Sequence, residues 1–308
     1  MVSVVFATML LFVTPDPAWS RQNSELPELV VMSAVSDNPQ SLISSMRPLA
    51  DYVEKKLAPL GVKNVEILIA ENTEQMIRFI RDGRVDWITE TAYSAALLEK
   101  RAGAEIALRK WKQGVASYRS ILFVRKDSGI ESLDQIIDRS VAFQHPGSTT
   151  GYFVPRSVFQ NLGMPLKSLR SVREKAMPGF VNYVFSGGEY NSAQWVHKGL
   201  VSAAVLSNLD WQRDDIVPAS IKQDLKVIYT SPPLPRALEL LRSDLDPRIK
   251  AVITETLLAA HEDPQASEAL HAYHGTFRFD RLDSASIQAL GEIRKSLGNG
   301  PVPAAGAP

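Results

Sequence analysis

Cysteine is absent from all 308 residues, which removes disulfide frameworks, thiolate metal sites and cysteine nucleophiles together. Net charge is absent too, because 34 lysines and arginines balance 34 aspartates and glutamates. No basic field is available to hold a nucleic acid or an anionic membrane, so a charged ligand must be gripped by local groups. Catalytic signatures are also missing: the chain has no Gly-x-Ser-x-Gly elbow, no Gly-x-x-x-x-Gly-Lys phosphate loop and no Gly-x-Gly-x-x-Gly fingerprint. No cofactor is implied. His271 and His274 have a spacing that metals use, but no carboxylate motif accompanies them and no metal site is expected.

Long apolar runs are lacking as well. Val2 to Val13 matches the hydrophobic region of a signal peptide and is too short for a bilayer span of roughly 20 residues. Pro15-Asp16-Pro17 follows it, and Ala18-Trp19-Ser20 offers small residues where a signal peptidase reads. Residues 1–20 are therefore expected to be an export signal peptide, although the basic start of such a leader is missing because no lysine or arginine precedes Arg21. The mature chain is expected in the periplasm. Residues 296–308, rich in proline, glycine and alanine, are expected to be a disordered tail.

What is present is enough apolar residue, 45%, to build cores, in a chain about twice the usual single-domain length of roughly 150 residues. Two lobes are the first expectation. Strand-like and helix-like segments alternate along the chain: Leu29 to Met32 before a helical pattern through Met46, Leu49, Val53 and Leu57, then Val65 to Ala70 before Met76, Phe79 and Ile80. Val85 to Ile88, Tyr118 to Val124, Val141 to Phe143, Val181 to Phe185 and Val201 to Leu206 read as further strands. Alternation of this kind predicts an α/β protein with parallel sheets, whose ligands sit beyond the carboxyl ends of the strands.

The loops after those strands are therefore the candidate site. Gly147-Ser148-Thr149-Thr150-Gly151 lies between a strand and a helix, and its hydroxyls and main-chain N–H groups can surround an oxyanion; the competing reading is a Ser/Thr helix cap. Tyr93, in Thr89-Glu90-Thr91-Ala92-Tyr93, either donates its hydroxyl to a ligand or packs at a lobe edge. Glu189, in the turn Gly187-Gly188-Glu189, either pairs with a ligand ammonium or is a first-turn carboxylate. Asn208 either bonds the ligand or caps the segment toward Trp211.

The stretch from Phe143 to Pro155, FQHPGSTTGYFVP, resembles the Asp-Pro-x-Ser-Thr-Ser-Gly segment, with its downstream proline, of the periplasmic binding components of phosphonate, phosphate and phosphite ABC importers. Arg81 to Asp86 leading to Tyr93, Tyr118 to Ser120 leading to Asp127-Ser128-Gly129, and Ser231 to Pro235 carry the resemblance along residues 27 to 295. It implies a non-enzymatic, type II two-lobed clamshell, with lobe 1 built from 27–114 plus 230–295, lobe 2 from 115–229, and hinge strands near Tyr118 and Tyr229. It further implies that Ser148, Thr149, Thr150 and Gly151 cradle an oxyanion and that Tyr93 meets it from the other lobe. A monomer serving an ABC permease follows, and a clamshell that signals to a membrane receptor is the alternative.

Two positions depart from the family pattern. Gly187-Gly188-Glu189 stands where Gly-Ser-His is common, and Val201-Ser202-Ala203-Ala204 replaces Val-Asp-Ala-Ala. A carboxylate beside a phosphonate dianion costs several kcal/mol unless protonated or paired, so an aminophosphonate or amino acid would suit Glu189 better.

Overall fold

The computed structural model describes residues 26–36 and 38–298. The expected leader and residues 299–308 of the expected tail lie outside the described residues.

Strand β1 (Leu29–Val35) pairs in parallel with β2 (Asn64–Ala70) and β3 (Trp87–Glu90), and the helices between them pack on the sheet. Helix α1 (Pro39–Leu57) starts with a proline in its first turn, and the Asn38 side chain accepts from Ser41 N–H. Its apolar positions Met46, Leu49, Val53 and Leu57 are all fully buried, as 3.6-residue spacing requires of one face. Helix α2 (Thr73–Arg81) is capped by Asn72, whose Oδ1 accepts from Gln75 N–H at 3.0 Å. Helix α3 (Ala92–Ala102) follows β3 directly.

The chain then runs through β4 (Ala104–Lys110) and β5 (Ser117–Tyr118) into a second sheet made of β6 (Ser120–Arg125), β7 (Ser140–Phe143), β8 (Leu166–Ser168), β9 (Val181–Phe185), β10 (Ala203–Ser207) and β11 (Leu225–Thr230). Helices α4 (Val154–Asn161), α5 (Glu189–His197) and α6 (Ala219–Lys222) belong to this part of the chain. It returns through β12 (Leu234–Pro235) to β13 (Ala237–Arg242), α7 (Pro247–Ala259), α8 (Ser267–Ala272), β14 (Phe279–Asp280) and α9 (Ser284–Gly298). Helix α9 continues through residues 296–298, where a tail was expected.

The strand orders are β14-β4-β13-β3-β1-β2 and β11-β6-β10-β7-β9-β8. Neither sheet is purely parallel: β13 runs antiparallel to β3 and β4, and β6 runs antiparallel to β10 and β11. Alternation of strands and helices predicts the parallel pairs but is blind to strands that follow a crossing between sheets, since nothing in a local apolar run encodes its direction.

The crossing itself is a short antiparallel ladder in which Tyr118 pairs with Leu234 and Ser117 with Pro235. Side chains stitch it. Ser231 Oγ accepts from Ser120 N–H at 2.9 Å, and the Arg119 guanidinium donates to the Ser231 carbonyl at 2.7 Å. Apolar clusters lie within each half, and one of them, built around α3, β3 and α9, also takes in Phe153.

Candidate functional site

The loop between β7 and α4 is shaped by its own polar groups. Ser148 Oγ accepts from Gly151 N–H at 3.0 Å and donates to Gln144 Oε1 at 2.6 Å. Its cap role is therefore realised. The chain then makes a wide turn over Thr149–Phe153 of the i→i+5 type before α4, a feature common where a helix carries function. Ser120 Oγ donates to the Thr150 carbonyl at 2.6 Å and pins the turn from β6. Ser148, Thr149, Thr150 and Gly151 are all buried.

Gly151 has no alternative at its position. A Cβ there would stand 2.5 Å from Gln144 Oε1, 2.6 Å from Gln144 Cβ and 2.8 Å from Ser148 Oγ. The Cβ of Gln144 cannot swing away as a side-chain tip can, so Gly151→Ala must displace backbone. We expect a loss of about 1–3 kcal/mol, read by thermal denaturation, together with weakened ligand binding.

Thr149 spans the cleft. Its Oγ1 accepts from the Tyr93 N–H at 3.1 Å and donates to Thr91 Oγ1 at 2.9 Å, both on the first sheet's side. Tyr93 meets the loop through its backbone N–H, at the start of α3. Its ring is stacked on Phe153 with centroids 4.1 Å apart. The tyrosine whose hydroxyl reaches Thr149 and Thr150 is Tyr118, buried at the crossing ladder. Its position in a β-rich run marked it only as a hinge residue.

Glu189 and Asn208 are both engaged. Gln144 Nε2 donates to Glu189 Oε1 while its Oε1 accepts from the Ser148 hydroxyl, so a chain of contacts links the first turn of α5 to the hydroxyl loop. Asn208 Oδ1 accepts from Arg119 N–H at 2.7 Å, and Asn208 N–H donates to the Arg119 carbonyl at 2.9 Å, extending the β10–β6 pairing toward the crossing. His145 is exposed, and its Nδ1 accepts from Gly147 N–H at 3.2 Å. His274 is held uncharged, with its pKa lowered to about 3 by burial and by Lys110, Lys112 and Arg236. Among the described residues no three His, Cys, Asp or Glu side chains cluster as metal ligands.

The floor of the site on the first sheet's side carries charge that periodicity does not reveal. Glu90, at the end of β3, accepts from Thr91 N–H at 3.1 Å, and burial pushes its carboxyl up to about 7. Lys112 is lowered to about 8, first by burial and then by Lys110 and Arg236. Arg236 lies over the Tyr118 ring, 4.9 Å from its centroid. These cations stand in the segments that enter and leave the crossing ladder.

Glu90 gives a pH-dependent stability with a definite sign. Its folded pKa exceeds the unfolded 4.5, so the native state holds the extra proton between about 4.5 and 7. The contribution is complete below 4.5 and lost as pH rises through 7. Glu90→Gln should leave stability near pH 4.5 unchanged and raise it at pH 8 by up to roughly 3 kcal/mol, as thermal melts at the two pH values would reveal.

The sequence of residues 32–287 matches the profile of the family described as ABC transporter, phosphonate, periplasmic substrate-binding protein. The phosphate-import protein PhnD of Mycolicibacterium smegmatis is 26% identical over 192 residues, 60% of this chain, and the match spans only 56% of that relative's length. Among solved structures, XAC2383 from Xanthomonas citri, seen bound to chloride ion and to ATP, superposes with a TM-score of 0.83 at 34% and 33% identity, over 88% of this chain and 98% of that one. PhnD1 from Prochlorococcus marinus, solved with methylphosphonate, has a TM-score of 0.62 at 15% identity over 88% of this chain and 98% of that one, a likeness of fold alone. The fold is that of the type II periplasmic binding proteins. With the profile spanning most of the chain and XAC2383 aligned over nearly its whole length, the chain belongs to the phosphonate family of ABC-transporter periplasmic substrate-binding proteins, which are not enzymes.

Proposed function

We propose that this protein captures a small phosphorus oxyanion, a phosphate, phosphite, phosphonate or aminophosphonate, in the cleft between lobe 1 (27–114 plus 230–295) and lobe 2 (115–229), and delivers it to an ABC permease. The observation that carries the reading is Thr149, whose hydroxyl touches the Thr91 hydroxyl and the Tyr93 N–H from the opposite side of the cleft. A ligand oxygen at that point meets neutral donors from both lobes, and the closed form is favoured by the contacts it adds. The phosphate-import relative and the ATP-bound relative support a phosphorus oxyanion as the group recognised. Ser148, Thr150 and Gly151 shape the cradle, Tyr118 backs it, and Glu189 tunes it through Gln144. Asn208 acts on the crossing segment. The carrier works in the periplasm as a monomer, so that one face stays free to dock.

Thermal unfolding against phosphate, phosphite, alkylphosphonates, aminophosphonates, nucleotides, sulfonates and amino acids tests this. A ligand at about 100 times its dissociation constant stabilises the folded state by roughly 2.7 kcal/mol. A midpoint shift confined to phosphorus oxyanions, and lost in Thr149→Val, supports the reading; a shift produced by carboxylates or sulfonates alone sinks it.

A further inference from the structure

The β13–β4 pairing of Ala237 with Lys110, and the Arg236 N–H bond to the Ala116 carbonyl at 2.8 Å, bring Arg236 beside the segment that carries Lys112, and neither cation has a counter-ion. Neither has a carboxylate within 4.0 Å among the described residues, and Arg236 Nε is buried with no hydrogen-bond partner. Nearby Lys110 differs, because it is paired with Glu239 at 3.3 Å and donates to Thr89 Oγ1 at 2.6 Å. The acidic groups around the pair are Glu90, whose ionisation is suppressed by burial, and Asp210, which faces Lys112 from the second sheet's side but bonds Ser207. Both side chains are half-buried, and a partly desolvated cation without a counter-ion is costly, so the pair is suited to receive an anion. Tyr118 connects the two features. Its ring carries Arg236 on one face, and its hydroxyl reaches Thr149 and Thr150 of the hydroxyl loop.

We infer that Lys112 and Arg236 form a second anion subsite adjoining the hydroxyl loop, so that the ligand carries two anionic groups: one on the neutral donors around Thr149, the other against these cations. This rests on the oxyanion reading of the cleft and narrows it to diphosphates, bisphosphonates and phosphonates bearing a second acidic group. The division of labour is chemical. Hydroxyls and N–H groups set the geometry of the first oxyanion, and the paired cations select a ligand by its total charge.

Isothermal titration with two matched pairs of probes decides it: phosphate against pyrophosphate, and methylphosphonate against methylenediphosphonate. For the wild-type protein the two-group probe of at least one pair should bind ten-fold or more tighter than its single-group partner. Lys112→Met and Arg236→Met should each erase most of that gap while leaving the single-group affinity within about three-fold. Lys112→Arg should preserve it. Without ligand, Lys112→Met should melt at or above the wild-type temperature, since it removes an unpaired, half-buried charge. If single-group probes bind and their two-group partners bind no tighter, or if the Met variants weaken both equally, the second subsite is wrong and the oxyanion cleft survives. If no probe binds the folded wild-type protein, the cleft reading itself fails.

Discussion

Glu239→Ala should lower the unfolding free energy by about 3–5 kcal/mol, well above the loss expected for Gly151→Ala. The carboxylate is 1% exposed and holds three partners. Its Oε2 accepts from Trp87 Nε1 at 2.7 Å, its Oε1 accepts from the Tyr273 hydroxyl at 3.0 Å, and Lys110 Nζ stands 3.3 Å away. Lys110 is equally enclosed and lies 3.9 Å above the Tyr273 ring. Removing Glu239 strands a buried ammonium, an indole N–H and a phenol at once, and each orphaned group keeps its desolvation cost. Glu239→Gln preserves an acceptor and should lose less. Pairing Glu239→Leu with Lys110→Met should recover most of the stability, because removing both charges takes away the penalty with the attraction. Urea denaturation of the three variants reads this directly; a loss under about 1 kcal/mol in Glu239→Ala would mean that Lys110 finds another partner.

Thr149→Val should weaken binding of the cognate oxyanion by roughly 10- to 100-fold, the worth of one hydrogen bond to a charged group. Valine matches threonine in shape, so packing is preserved and the hydroxyl alone is lost. Two effects act in the same direction. The ligand loses a donor, and the contacts to Thr91 and Tyr93 that draw the lobes together disappear. Titration of the variant against any anion that shifts the wild-type melting temperature provides the number. Thr91→Val separates the effects, since it spares the loop but removes one bridging contact.

The arrangement places chemistry with different demands on different elements. The hydroxyls of the candidate site sit on a turn held by Ser120, Gln144 and the close packing of Gly151. Lys112 and Arg236 sit on the segments flanking the crossing ladder. The buried ionic cluster around Glu239 joins β13 to Trp87 of β3 and Lys110 of β4. That separation explains why Glu239 and Thr149 variants should fail differently, the first in stability and the second in affinity.

The helices and most strands were legible because their apolar residues recur with the period of the element that buries them, as in Met46, Leu49, Val53 and Leu57 of α1. The hydroxyl loop was legible because serine, threonine and glycine cluster in few local contexts other than a cap or an anion cradle; Ser148 caps, and Thr149 faces the first sheet's side. Local composition thus determined the α/β class, the segment that carries the candidate site and the exclusion of thiol chemistry. Strand direction after each crossing, the approach of Tyr118 to the hydroxyl loop, the capture of Glu189 by Gln144, and the meeting of Lys112 with Arg236 were decided only by the tertiary structure. The reason is range: periodicity and capping act over a few residues, whereas these contacts join positions tens of residues or more apart in the chain, as Gln144 and Glu189 do at 45.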